Sequence, residues 1–432
     1  VSQSRSVRRA ARRRADRAEA RRARRGVAAA TSARPGSTLV ALTSSALALS
    51  GIAGSAAADA PTDRYSSDYS FSFYEEDSLS SSDVAPGSTK SRYEIETHQF
   101  QMSAPIFERM DMNLNVLYES MSGATPWFVE EGADGKPVQV MSGASVDDKR
   151  TDTKLATSYY FDNAKVTGTS GFSIEKDYTS FGGGLAGETH FNDKQTTLGG
   201  AAGFSVDFLD PTDSDEFATR PSSEDKQSAT VMASLSHILG RGTAIQSSAT
   251  YQYQTGFLSD PYKLVSVEGA NVADSRPDER HQFTSLTRLR HRVEAMNASL
   301  HLDYRFYADD WNIASHTAEI AWYQTLFTNF RLIPSMRYYS QSQADFYDTW
   351  FDIAPSDGYA SSDYRLSPYG AISWRLQAEY GMQGWPWTMD WMLSFAWERY
   401  LSDADFALGK VSVANPGLVS WNLYSVRFSA SF

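Results

Sequence analysis

The nine residues Tyr424-Ser-Val-Arg-Phe-Ser-Ala-Ser-Phe432 carry an apolar side chain at every even position and a polar one at every odd position. Side chains of a β-strand alternate between its two faces, so a strand with this lettering has one apolar face and one wet face. The pattern recurs from Arg64 onward in segments of about 10 to 14 residues. Met110, Met112, Leu114, Val116 and Tyr118 oppose Asp111, Asn113, Asn115 and Glu119; further on, Trp387, Met389, Trp391, Leu393, Phe395 and Trp397 oppose Thr388, Asp390, Ser394 and Glu398. Sixteen such segments can be traced. Those between Ala164 and Phe257 are rich in Gly, Ala, Ser and Thr and alternate less steeply.

Composition decides what covers the apolar face. Mean hydropathy is -0.43 and hydrophobic residues make up 41%. No apolar run of roughly 20 residues is present to form a membrane helix. Aromatic residues nonetheless reach 13%, with 23 Tyr, 23 Phe and 10 Trp, and nine of the tryptophans lie from Trp311 onward. Aromatic enrichment without long apolar runs suits a sheet closed into a barrel, in which only alternate residues meet lipid and aromatic rings line both interfaces. The expected fold is all-β: a transmembrane antiparallel barrel of about 16 strands. Connections fit this, with tight turns at 161–163, 192–194, 240–242 and 294–296 and long polar stretches at 75–91, 122–149, 209–226, 258–282, 341–363 and 401–420. Strict alternation of short periplasmic turns and long extracellular loops is predicted. A large soluble sandwich is disfavoured because no repeat period appears and both faces would need polar cover.

Charge divides the chain. Residues 1–58 hold 12 Arg against Asp16 and Glu19, leaving 28 basic and 50 acidic residues in 59–432, a balance of -22. The basic stretch, the apolar run from Leu39 to Ile52 and Ala56-Ala57-Ala58 read as a secretory signal over 1–58, with the barrel occupying 59–432. A nucleic-acid-binding arm is the weaker reading of the arginines, and no nucleic-acid partner is expected. With no cysteine, disulfides and thiol chemistry are excluded. An aromatic residue ending an alternating strand resembles the signal read by the outer-membrane barrel assembly machinery. Tyr424, Val426, Phe428, Ala430 and Phe432 are its expected residues. The implied location is the outer membrane of a Gram-negative bacterium, facing lipid and lipopolysaccharide.

Several strings resemble a bacterial family catalogued as domain of unknown function 3570: Ser122-Gly-Ala-Thr-Pro-Trp127, Leu258-Ser-Asp-Pro-Tyr-Lys263, Asp274-Ser-Arg-Pro-Asp-Glu-Arg280, Tyr304-Arg-Phe-Tyr-Ala-Asp-Asp-Trp311 and Arg337-Tyr-Tyr-Ser-Gln-Ser-Gln-Ala-Asp-Phe-Tyr347. The resemblance spans most of 64–432. It implies an outer-membrane barrel of unassigned activity, with members often encoded near enzymes that attach flavin to exported proteins. It carries no catalytic residues and no cofactor.

Parity places Glu94, Glu96 and His98 beside Asp111 and Glu119 as an acidic lumenal face. Arg288, Arg290, Arg292, Arg305, Arg331, Arg337, Arg365 and Arg375 form a basic one. Two readings follow. Opposed faces would set a transverse field that orients small polar solutes or cations in a passive channel. Alternatively, the arginines pair with Asp303, Glu319, Glu379, Asp390 and Glu398 and stabilise a structural barrel serving an envelope redox or assembly system. A His98 metal site with Glu94 and Glu96 is the less favoured reading of those three residues, and a lumenal hydrogen-bond ladder the favoured one. A lipid hydrolase would use His316 beside outward Ser340, but no third group or oxyanion hole accompanies them. Loops 122–149 and 258–282, with Trp127, Phe128 and Tyr262, carry a mixture suited to folding inward as a constriction or a plug.

Overall fold

The computed structural model describes residues 60–142, 146–384 and 389–432; the expected signal at 1–58 and Trp387 lie outside them. Sixteen antiparallel strands close a barrel: β1 Ser66–Glu76, β2 Glu94–Phe107, β3 Met110–Gly123, β6 Val146–Tyr160, β7 Ala164–Ile174, β8 Tyr178–Phe191, β9 Thr196–Leu209, β10 Glu224–Gly240, β11 Thr243–Gly256, β14 Glu279–Val293, β15 Ala298–Asp309, β16 Ala314–Thr325, β17 Phe330–Gln341, β18 Tyr369–Met382, β19 Asp390–Asp403 and β20 Trp421–Ser431. Each strand pairs with its chain neighbour, and β20 closes the ring on β1 with Phe428 opposite Tyr69 and Val426 opposite Phe71. Tyr65 and Phe432 exchange two backbone hydrogen bonds at 3.0 and 3.1 Å, and their rings stack at 6.2 Å. Closure leaves no strand edge to seek another partner. No described helix is long and apolar enough to cross a membrane.

The outer face is identified by what it exposes. Tyr69, Phe100, Phe181, Leu185, Phe204, Val231, Ile320, Met336, Trp374, Phe395 and Phe428 are exposed apolar side chains in mid-sheet. Directly opposed residues share a face, so the register carries this assignment around the ring. Tyr424, Val426, Phe428 and Phe432 are exposed on it, while Ala430 is covered opposite Trp391. The inner face differs between arcs. On β7–β10 it is built from small polar residues such as Thr167, Ser173, Ser180, Ser205 and Ser228, whereas β14, β15, β17, β18 and β20 present arginines.

Long and short connections do not alternate strictly. At the end bearing the long loops, the β7–β8 and β15–β16 connections span only 175–177 and 310–313. The remaining loops fold together. Two hairpins, β4 Pro126–Glu131 with β5 Pro137–Met141 and β12 Leu264–Val267 with β13 Ala270–Ala273, stand outside the barrel sheet. The loop between β1 and β2 adds to the first hairpin through Gln139, whose N–H donates to Asp83 O at 2.7 Å and whose carbonyl accepts from Ala85 N at 3.1 Å. The second joins the β17–β18 loop through Phe351 N to Ser266 O at 2.8 Å. Apolar clusters seal these contacts, one of Leu79, Val84, Ala124 and Met141 and another of Trp311, Ile313, Ala344, Phe346, Tyr347 and Leu366. The loops therefore span the mouth as one cap, carried by opposite sides of the ring.

Candidate functional site

The basic wall occupies the inner face. Arg288, Arg290 and Arg292 on β14, Arg305 on β15, Arg331 and Arg337 on β17 and Arg375 on β18 all share the face opposite to the exposed apolar residues of their strands. Arg427 on β20 joins them. Several are paired: Arg290 contacts Asp303, Arg288 lies 3.6 Å from the same carboxylate, Arg331 contacts Glu379, and Arg375 lies 3.5 Å from Glu398. Arg305 stands apart. It faces the lumen by register yet is exposed, so water reaches the bore at its height.

Arg365 does not line a strand. It precedes β18 in a 3-10 turn, Tyr364–Leu366, buried in the cap. Asp363 caps that turn, accepting from Arg365 N at 3.2 Å, and the apparent strand parity of the segment from 364 was misleading for this reason. Around Arg365 lies a buried ionic network: its Nη2 reaches Asp260 at 2.6 Å and its Nε reaches Asp363 at 2.8 Å, while Arg276 holds Asp274 at 2.7 Å and Asp363 at 2.9 Å. Lys263 donates to Pro126 O at 2.7 Å, tying the β11–β14 loop to the hairpin after β3, across the mouth. Arg92, bound to Glu76 at 2.6 Å, stacks over Tyr364 with 5.4 Å to the ring centroid.

Electrostatics follow burial and partners. Burial opposes ionisation of Asp363, but Arg365, Lys263 and Arg276 outweigh it and hold the carboxyl well below the usual range. Asp260 is lowered in the same way, by Arg365 and Lys263 against burial. At Asp274 burial wins over Arg276 and raises the carboxyl. Lys263 is lowered, its burial exceeding the pull of Asp363 and Asp260. Burial pushes the Tyr93 hydroxyl up to about 12.

The acidic face is not where parity placed it. Asp111 and Glu119 do face inward, but Glu94, Glu96 and His98 pair with Glu75, Phe73 and Phe71 and lie on the outer face with Phe100. The rule of polar inside and apolar outside applies only at hydrocarbon depth, where a strand needs about 9–11 residues. The 14 residues of β2 run past it. Beyond that depth the polarity inverts: Glu94 and Glu96 point out, while Ile95 packs inward with Tyr74 and Leu423. Asp111 accepts from Tyr160 at 2.7 Å, and Glu119 lies 3.7 Å from Arg150.

His98 bonds Tyr69 OH through Nδ1 at 2.9 Å. The arrangement recurs on the outer face with Tyr251 and His281 at 2.7 Å and with Tyr304 and His316 at 2.7 Å. His316 does oppose Ser340. That serine is 4% exposed, and its Oγ accepts from Leu408 N at 2.9 Å, because the β19–β20 loop folds over the outside of the wall. Gly370 admits this strap: a Cβ there would lie 2.1 Å from the backbone of Phe406. Alternation showed the neighbours of His316 but gave no sign of the strap.

A closed ring of sixteen antiparallel strands, apolar outside and polar inside, defines the protein as a β-barrel of the membrane-spanning type. The family model described as protein of unknown function DUF3570 matches residues 39–412, and the chain belongs to that family. No curated protein matches it by sequence. Among solved structures it is similar to OccD3 (OpdP) of Pseudomonas aeruginosa, at 10% identity and a TM-score of 0.44, covering 91% of this chain and 98% of that one. It is also similar to a bacterial polysaccharide outer membrane secretin, at 10% identity and a TM-score of 0.42, covering 85% and 97%. Similarity to the siderophore receptor PirA of Pseudomonas aeruginosa, at 12% identity and a TM-score of 0.39, covers 79% of this chain but 56% of that longer one.

Proposed function

We propose that this chain is an outer-membrane channel for small polar solutes, with the folded loop cap as its narrowest point and the arginine wall tilting it toward anions. One observation carries the reading: Arg305 points into the bore and remains exposed to water. A bore packed solid would bury it. On the arc from β14 to β20 the wall also supports anions, and of the expected acidic face only Asp111 and Glu119 stay inside, since Glu94, Glu96 and His98 lie on the outer face. Fixed charge along a pore selects ions of the opposite sign.

A second reading has its own support. The cap joins loops from opposite sides of the mouth through buried ion pairs, as a structural or scaffold barrel would require. Planar-bilayer recording separates the two. The purified barrel should conduct with an anion-selective reversal potential in a salt gradient, and removing the 126–141 hairpin should raise the conductance. Correctly folded protein that stays silent with and without the hairpin would favour the scaffold.

A further inference from the structure

Four arginines and two carboxylates meet on adjoining inner-face rungs of β14–β17. In register, Arg288 opposes Asp303, Asp303 opposes Glu319, and Glu319 opposes Arg337. Arg290 sits one inner rung from Arg288, and Arg305 one inner rung from Asp303. Asp303 is shared by Arg290, in direct contact, and Arg288 at 3.6 Å. The patch thus holds two more positive than negative groups. By register Arg305 stands opposite the uncharged Leu286 and Thr317, with Arg288 on β14 and Arg337 on β17 each one inner rung away.

Like charges held together in a confined space are stabilised by a counter-charge from outside the chain. A guanidinium fork takes a carboxylate or phosphate through two parallel hydrogen bonds, which gives geometric selectivity as well as charge. Arg305 and Arg337 lie two strands and one inner rung apart, an interval on the order of 12 Å between backbones at ordinary strand spacing. Their long side chains close much of that gap. The neighbouring Tyr339 hydroxyl, bonded to Gln341 at 2.6 Å, lines the side toward the cap.

We infer that Arg305 and Arg337, backed by Arg288, form a lumenal binding site for a small dianion with two separated oxyanion groups, of the dicarboxylate class. This inference rests on the bore being water-filled, as in the function proposed above. It is distinct from conduction, because a site can bind in a barrel that does not pass current.

The test is equilibrium titration of the detergent-solubilised full barrel with succinate, using acetate as the singly charged comparator. Succinate should bind at least about tenfold more tightly than acetate, with an affinity that falls as salt rises. Arg305→Gln and Arg337→Gln should each weaken succinate about tenfold or more, and Arg305→Lys by less, since it keeps the charge and loses the fork. Arg399→Gln on β19, opposite the outward Trp374 and an identical change in net charge, should bind as the parent does. Heat-modifiable mobility and tryptophan emission establish that each variant is folded, and either glutamine variant suffices if the other fails. Succinate binding no tighter than acetate, or unaltered in the folded glutamine variants, overturns the site. Conductance without succinate binding would defeat this inference and leave the channel standing; binding without conductance would do the reverse.

Discussion

The cap and the wall use the same chemistry in different surroundings. Arg276 with Asp363 in the cap and Arg375 with Glu398 in the wall are both arginine–carboxylate pairs, yet the Asp363 side chain is wholly buried whereas Arg375 and Glu398 keep 18% and 15% of theirs exposed. A buried pair that loses one member leaves an uncompensated charge in a poor solvent, whereas a wetted pair is replaced by water at little cost. The cap is therefore held by ions in the way a core is held by apolar side chains. This contrast explains how loops rich in aspartate and arginine form a single body over the barrel mouth.

The largest expected effect comes from Asp363→Asn, which leaves Arg276 and Arg365 buried with reduced compensation. Cap opening should become easier by about 3–5 kcal/mol. Hydrogen exchange of the 257–278 and 342–368 amides should accelerate while the barrel strands remain protected; equal acceleration in both would erase the distinction between cap and wall.

Acid should separate the two regions next. The folded-state values of Asp363 and Asp260 are depressed, so their contribution is present above the unfolded carboxylate range near pH 4 and is lost as pH falls through the lower folded values. Asp274, raised by burial, acts in the opposite sense and offsets part of the loss as it takes up its proton. Protease nicking of the cap should hence stay slow down to about pH 4 and rise below it, with the β-sheet circular dichroism unchanged. Nicking that peaks near neutrality would contradict this account.

The smallest effect is expected at the wall. Arg375→Gln should cost about 1 kcal/mol or less in thermal or denaturant unfolding, because its pair with Glu398 is long and partly wetted. A loss comparable with that of Asp363→Asn would place both networks in the same class.

Much of this arrangement is legible in the order of residues. Sixteen strands, the outward faces of β3 and β19 and the inward arginines of β14 follow from period two alone, because the sheet closes and every strand has an inside. What fails is the reading of β2, where Glu94 and Glu96 obeyed the polarity of water above a membrane rather than of the bore beside it. Arg365 fails for a different reason. The dipeptide Asp363-Tyr364 begins a capped turn, and its alternation with Arg365 and Leu366 is accidental. The cap network itself has no local signature: Asp260 and Arg276 belong to the β11–β14 loop and Asp363 to the β17–β18 loop, and they meet only because these two loops converge. The Gly370 strap is equally hidden, since a glycine in a strand does not announce which backbone will approach it.

The inversion along β2 has a consequence for how the molecule sits. Phe100 and Glu96 lie on the same side of one strand, four residues apart, one suited to hydrocarbon and the other to headgroup water. The barrel thus carries its own waterline. Any vertical slippage would drown a carboxylate or strand an aromatic ring, so immersion depth is written into the strand itself.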